Sequence, residues 1–206
     1  MDYKSIGAMT ELTLAWHFTN GKLRDGQPIP PDGEWLRYEG KCFMCERGLH
    51  ASKKIIDALQ YAPGSTIHRV VCANIQDEQS DKFVCRSRFI MWRLESNELL
   101  RTFARSAALS VIHLWDAPAI VRQYLETGDE KIRVAAWDAA GNAAWAAARA
   151  AASAAGAAAR AAAGAAARDA ARDAEWDKLN TELETIVLSA RGNPDDQYLL
   201  SKVPMP

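Results

Sequence analysis

The chain has 206 residues, with 25 basic and 26 acidic side chains and a formal net charge of −1. This length is enough for one or two domains with a sizeable core. The near balance of charge excludes a protein that coats nucleic acid through a large basic excess, and it equally excludes an acidic mimic of DNA. A local basic patch remains compatible with this composition.

The N-terminal residues and the apolar runs predict a cytosolic protein. Asp2, Lys4 and Glu11 leave no apolar core for a signal peptide. No uncharged apolar stretch reaches the roughly 20 residues of a membrane span, and the alanine-rich stretch carries arginines. We therefore expect the cysteines to be free thiols in a reducing compartment, and we expect no membrane partner.

The first half of the chain contains the strand patterns. Leu12–Phe18 is a short apolar run that predicts a buried strand, and a second short strand is expected near Trp35–Tyr38, in a loop rich in proline and glycine. Thr66–Ile75 and Lys82–Leu94 are rich in β-branched and aromatic residues, so they predict a hairpin. A short helix is predicted after Ser52, which fits the N-cap position.

From Ser96 the apolar spacing becomes that of helices. Paired apolar rows predict one helix over Leu99–Trp115 and a second over Ala119–Glu126 that ends at Gly128. Alanine fills 26 of the 40 residues from 135 to 174, and apolar residues from 176 to 190 follow heptad spacing. We expect residues 129–190 to be helical and to pack against themselves or a second copy of the chain, as a homodimer.

Together these patterns predict an α+β fold: a small mixed or antiparallel sheet with one helix, followed by an alanine-rich helical region. We place an N-terminal α/β domain at residues 10–95 and the helical region at residues 96–190. Residues 191–206 are predicted to be a mobile tail.

Cys42, Cys45 and His50 have the opening spacing of a zinc knuckle. The fourth ligand of that pattern would fall at Ile55, which cannot bind metal. A complete site would need a distant thiol or imidazole: Cys72, Cys85 or His68. We therefore predict packed thiols rather than a metal site, and no cofactor.

His17 and His50 are polar residues in apolar surroundings. His17 lies inside an apolar strand, and His50 lies between a glycine turn and a helix. One interpretation is that each imidazole satisfies a backbone group in the core. The other is a ligand pocket formed by His17, His50, Ser52 and Tyr61. No single acidic residue is indicated as an acid–base partner, so we assign no catalytic residue.

The alanine-rich stretch carries a second candidate site, because no acidic residue occurs between Asp138 and Asp169. A basic helix with tryptophans can contact nucleic acid or an acidic protein surface. The candidate interaction residues are Arg149, Arg160, Arg168, Arg172, Trp137 and Trp145. We favour the alternative that the arginines form a solvated stripe and the tryptophans anchor the stretch, so nucleic acid is not the favoured partner.

The runs AWHFTNGKLRDGQPIPPDGEWLRYEG, CERGLHASKKIIDALQYAPG and DKFVCRSRFIMWRL resemble a family of domains of unknown function common in bacteriophages and prophages. GLHAS and ALQYAPG at this spacing carry the resemblance, which covers roughly residues 13–125. It implies a phage accessory protein in the host bacterial cytoplasm. Such proteins often counter host defences, for example as anti-CRISPR proteins. We therefore expect a non-catalytic inhibitor that binds a bacterial defence protein or complex.

The segment GLHAS with the later Tyr61-Ala62 is also similar to the strand–helix segment of ADP-ribosyltransferase-like folds. Those enzymes bind NAD, with an aromatic or basic residue on the first strand and a glutamate on a late strand. His17 matches the first of these positions, whereas Glu95 at a strand edge is the nearest counterpart of the second. The resemblance implies a nucleotide-binding or transferase domain as the alternative function.

Overall fold

The computed structural model describes residues 11–114, 116–140 and 165–206. Within these residues the predicted α+β fold is confirmed, since a five-stranded antiparallel sheet is accompanied by several helices. The chain divides into two compact units. One joins the residues up to Asn97 with Asn180–Pro206, and the other is Glu98–Leu179.

The sheet of the first unit has the strand order β1-β4-β5-β2, and β3 also pairs with β5. The strands are β1 (Thr13–Thr19), β2 (Trp35–Arg37), β3 (Leu49–Ala51), β4 (Thr66–Glu78) and β5 (Phe83–Glu95). β4 and β5 form the predicted hairpin. Because β2 and β3 pair with different parts of β5, they lie one after the other along the same side of that strand.

A backbone bridge brings the chain that leaves β3 back to β1. The N–H of Trp16 donates to the carbonyl of Ser52 at 2.8 Å, and the N–H of Ser52 donates to the carbonyl of Trp16 at 3.1 Å. Ser52 therefore does not cap the following helix as predicted. Helix α1 (Ile55–Gln60) begins after Lys54 and has no side-chain cap at that residue.

The inner face of the sheet is closely packed with apolar side chains. Its buried cluster consists of Ala15, Ala51, Val70, Cys72, Phe83, Cys85 and Ile90. In β4, Val70 and Cys72 alternate with Val71, which lies on the opposite face and is also fully buried. The core explains why β4 and β5 are so rich in apolar residues.

The C-terminal segment completes this unit. Helix α4 (Ala165–Ala190) buries Leu183 and Val187 completely, and it is followed by helix α5 (Asp196–Ser201). Asp196 forms a salt bridge of 2.6 Å with Arg69 of β4. We predicted a mobile tail over residues 191–206. The structure describes a helix and sheet contacts there, and the mobility of the segment stays a prediction.

In the second unit, helix α2 (Asn97–Ser110) is followed by a short 3₁₀ turn at Ile112–Leu114. The predicted helix over Leu99–Trp115 is therefore too long, because the α-helical pattern ends at Ser110. Helix α3 (Ala119–Thr127) ends at Gly128, which has φ 67° and donates its N–H to the carbonyl of Tyr124, as the C-cap prediction required.

Residues 133–140 are also helical, and α4 ends at Ala190 as predicted. The rest of the alanine-rich stretch lies outside the described residues. The expectation that residues 129–190 pack against themselves or a second copy stays a prediction.

Candidate functional site

A cavity of about 1130 Å³ lies between the sheet and the loop that joins β1 to β2. Its walls come from β1, from the segment around β3, from the end of α1 and from the β1–β2 loop. A cavity of this volume, on the order of 1,000 Å³, has the size of a site for a drug-sized or cofactor-sized ligand.

All four predicted pocket residues line this cavity. His17 comes from β1, His50 from β3, Ser52 from the bridge that follows β3, and Tyr61 from the end of α1. The structure therefore brings together residues that lie up to 44 positions apart in the sequence.

The His50 ring fixes a tight turn at the rim. Its Nε2 accepts a hydrogen bond of 3.0 Å from the backbone N–H of Cys45, which has φ 65°. Burial lowers the pKa of His50, although the nearby Gly48 carbonyl partly opposes this shift. Because Nε2 accepts this bond, the ring is neutral with its proton on Nδ1. His50 holds the turn in place and contributes a ring face to the cavity.

His17 lines the cavity beside a second histidine, His68. The two ring centroids are 6.1 Å apart, and His68 Nε2 lies 2.8 Å from the hydroxyl oxygen of Thr19. Burial, followed by the charge of Arg88, holds the pKa of His17 well below its usual value and lowers that of His68 to about 4. Both rings are therefore neutral at pH 7. No hydrogen bond of a His17 ring nitrogen is found among the described residues.

Arg88 of β5 is the site residue that the sequence analysis did not identify. Only 4 % of the Arg88 surface is exposed, yet the residue lines the cavity. Its Nη1 donates to the carbonyl of His50 at 2.8 Å. In the described part of the chain it forms no salt bridge. Burial lowers its pKa, but a guanidinium keeps its charge at neutral pH. A signal was present in the sequence, since Arg88 interrupts a strand of buried residues.

The remaining polar lining is mostly basic. Six basic side chains face two acidic ones, Asp25 and Glu46. The basic residues are Lys22, Arg24, Arg37, Arg47, Lys82 and Arg88. The cavity of a nearly neutral chain is therefore positively charged.

Tyr61 and Ser52 both line the cavity but differ in their exposure. Tyr61 is 51 % exposed, its hydroxyl donates to Asp81, and Lys82 Nζ lies 4.1 Å from its ring centroid. The hydrogen bond with Tyr61 is the main reason that the pKa of Lys82 is raised. Ser52 is buried at the level of the sheet, and the structure records only backbone bonds for it. Tyr61 and Lys82 therefore place an aromatic ring and a positive charge side by side at the cavity entrance.

The zinc-knuckle spacing does not assemble a metal site in the described residues, where no three His, Cys, Asp or Glu side chains could hold an ion. His50 Nε2 is occupied by the Cys45 N–H, and the Cys42 thiol donates to the carbonyl of Cys85 at 3.7 Å. The proposed distant donors Cys72 and Cys85 are buried in the inner core, and His68 bonds Thr19.

The candidate interaction residues of the alanine-rich stretch are only partly described. Trp137 is 78 % exposed on the helix at 133–140, and Arg172 is exposed on α4. Arg168 lies on α4, but its side chain is outside the described set. Arg149, Arg160 and Trp145 lie outside the described residues.

The geometry defines an α+β domain with a basic cavity. A comparison with known proteins also finds a domain in this part of the chain. Residues 13–102 match the family model described as a domain of unknown function, DUF7666. No curated protein and no solved structure matches the chain. The match covers the sheet and the cavity, and it extends only into the beginning of α2. In the described parts of the chain, no helix combines the length and the apolar character needed to span a bilayer.

Proposed function

We propose that the sheet unit binds a phosphate-bearing nucleotide in the cavity, with the phosphate on the Arg88 guanidinium. NAD and ADP-ribose are the first candidates, because the resemblance to ADP-ribosyltransferase-like folds implied a nucleotide of this class. We assign no catalytic step to the cavity. The observation that carries the proposal is that Arg88 is buried, lines the cavity and forms no salt bridge within the described residues.

A guanidinium out of water needs a partner. Removing a charge from water costs several kcal/mol, and proteins offset this cost by pairing the charge and satisfying its hydrogen bonds. Elsewhere in the sheet unit such partners exist, since Arg69 pairs with Asp196 and Arg93 pairs with Asp32. Among the described residues, Arg88 has one backbone carbonyl as a partner and no carboxylate. An anionic ligand that makes bidentate contacts would supply the missing charge.

The other lining groups suit a nucleotide attached to that phosphate. Neutral His17 has an unused donor and an unused acceptor, which can both bond to hydroxyl groups or to a base. Apolar walls from Phe18, Leu36 and Ala58 provide the apolar contact that ligand cavities commonly have.

Thermal unfolding with a panel of ligands tests the proposal: NAD, ADP-ribose, AMP, adenosine and inorganic pyrophosphate. At about 100 times its Kd a ligand adds about 2.7 kcal/mol to the unfolding free energy, a shift of several degrees. Arg88→Met should remove the shift. Arg86→Met is the matched control, because Arg86 lies on the same strand, bonds Gln76 and does not line the cavity. A shift with adenosine equal to that with AMP, or one retained in Arg88→Met, would contradict the proposal.

The second candidate is the phage-encoded inhibitor of a bacterial defence component. The observation that favours it is an exposed apolar pair on the helix at 133–140, where Val134 is 63 % and Trp137 is 78 % exposed. Exposed apolar side chains one helical turn apart are suited to a protein partner.

The test of the second candidate is co-expression with individual defence complexes. The expected result is co-purification with one complex and restored phage plating, both lost in Trp137→Ser. Exposed Tyr198 of the other unit offers a matched substitution, Tyr198→Ser, that should change neither readout. Failure of both readouts against a broad panel would contradict this candidate.

A further inference from the structure

Five basic side chains line the cavity in addition to Arg88, which is more than the phosphate of a single nucleotide needs. We define the entrance cluster as Lys22, Arg24, Arg37, Arg47 and Lys82. Arg24, Arg37 and Arg47 are exposed, and within the described chain no member of the cluster forms a salt bridge. One phosphate on Arg88 would leave these five basic side chains beside only two acidic ones in the cavity lining, Asp25 and Glu46.

This concentration of charge is not a property of the whole surface. The chain has one more acidic than basic side chain, and exposed basic residues of the other unit, such as Arg101 and Arg133, are paired with Glu130. The entrance cluster therefore creates a local positive potential that attracts polyanions and orients their approach.

An aromatic side chain stands at the same entrance. Half of the Tyr61 surface is exposed, and the Lys82 ammonium lies over its ring. Proteins that bind single-stranded nucleic acid combine a positive groove for the backbone with aromatic rings on which bases stack. Tyr61 and the entrance cluster provide both of these elements next to the cavity.

From this arrangement we infer that the partner is a single-stranded nucleic acid, with one nucleotide in the cavity and neighbouring phosphates on the entrance cluster. This inference rests on the proposed function, since the nucleotide in the cavity belongs to the strand. A duplex does not fit the arrangement, because a paired base cannot enter a cavity whose floor is Arg88 without leaving its stack.

The experiment measures fluorescence anisotropy of labelled 12-nucleotide RNA and DNA single strands and of a matching duplex, from 50 to 200 mM salt. Single strands should bind at least tenfold more tightly than the duplex. Each phosphate contact adds about −0.7 to the slope of log K against log salt. Arg37→Gln/Arg47→Gln should therefore reduce the steepness by about 1.4 and weaken strand binding at least tenfold.

Arg133→Gln is the control for general loss of positive charge, and it should leave strand binding unchanged. Because Arg37 and Arg47 are exposed, the double variant should also retain the melting temperature of the wild type.

The outcomes separate this inference from the proposed function. AMP binding without strand binding overturns the inference and leaves the proposed function standing. Strand binding that is lost in the double variant, but that is accompanied by no binding of any free nucleotide, would place the strand on the entrance cluster alone and would contradict both the inference and the proposed function. Strand binding that is unchanged in the double variant, or equal binding of the duplex, overturns the inference.

Discussion

Replacing Gly48 by alanine should destabilise the sheet unit by about 2 to 5 kcal/mol. Gly48 has φ +107°, a conformation that costs other residues about 1 to 2 kcal/mol. An added Cβ would also lie 2.6 Å from Val84 Cγ2 and 2.9 Å from Cys42 Sγ. Relieving such overpacking costs a further 1 to 3 kcal/mol, roughly, and moves the turn that His50 holds against the cavity.

Gly33 offers the matched control for backbone conformation alone. It has φ +90°, and no atom lies within 4 Å of its hypothetical Cβ, so Gly33→Ala should cost only about 1 to 2 kcal/mol. Urea unfolding, monitored by tryptophan fluorescence, measures both variants. Equal losses in the two variants would refute the reasoning, because the close contacts of Gly48 would then have no energetic consequence.

Three further predictions concern the sheet unit. The pKa of His68 lies at about 4 in the folded protein instead of 6.5. This difference contributes to the free energy of unfolding, and the contribution is complete above pH 6.5 and is lost as the pH falls towards 4. The loss of stability between pH 7 and pH 4 should therefore be about 3 kcal/mol smaller in His68→Gln, and a pH dependence equal to that of the wild type would contradict this. Asp196→Asn leaves Arg69 buried without a counterion and should cost about 3 to 5 kcal/mol in urea unfolding. Glu130→Gln, which breaks an exposed salt bridge, is the control and should cost less than about 1 kcal/mol. A similar loss of unfolding free energy in Asp196→Asn and Glu130→Gln would contradict this prediction. Asn180→Ala removes the side-chain acceptor of a backbone N–H at the start of α1 and should cost about 1 kcal/mol; an unchanged unfolding midpoint would count against that contact.

Local patterns predicted four of the five strands and the ends of α3 and α4, because those features depend on neighbouring residues, but they predicted neither β3 nor α5. The hairpin of β4 and β5 follows from β-branched and aromatic runs, and the end of α3 follows from Gly128. The true end of α2 was missed because its apolar rows continue beyond Ser110, into a 3₁₀ turn that the same spacing also fits. The role of Ser52 was missed because its partner, Trp16, is 36 positions away in the sequence.

The cavity was predictable only in part for a similar reason. His17 and His50 attract notice as polar residues in apolar segments, and the fold does bring them to one cavity. Arg88 gave the same kind of signal, but an arginine among strand residues is usually exposed. Its burial depends on the pairing of β5 with both β4 and β2, which no local pattern specifies. The attachment of the C-terminal segment to the sheet through Asp196 is likewise a long-range contact.

The most direct test of the central claim is a crystal structure of the protein with the nucleotide that stabilises it most. We expect a phosphate in the cavity, with its oxygens about 2.7 to 2.9 Å from the guanidinium nitrogens of Arg88. A nucleotide bound away from the cavity, or an Arg88 side chain that makes no contact with the bound phosphate, would contradict the account.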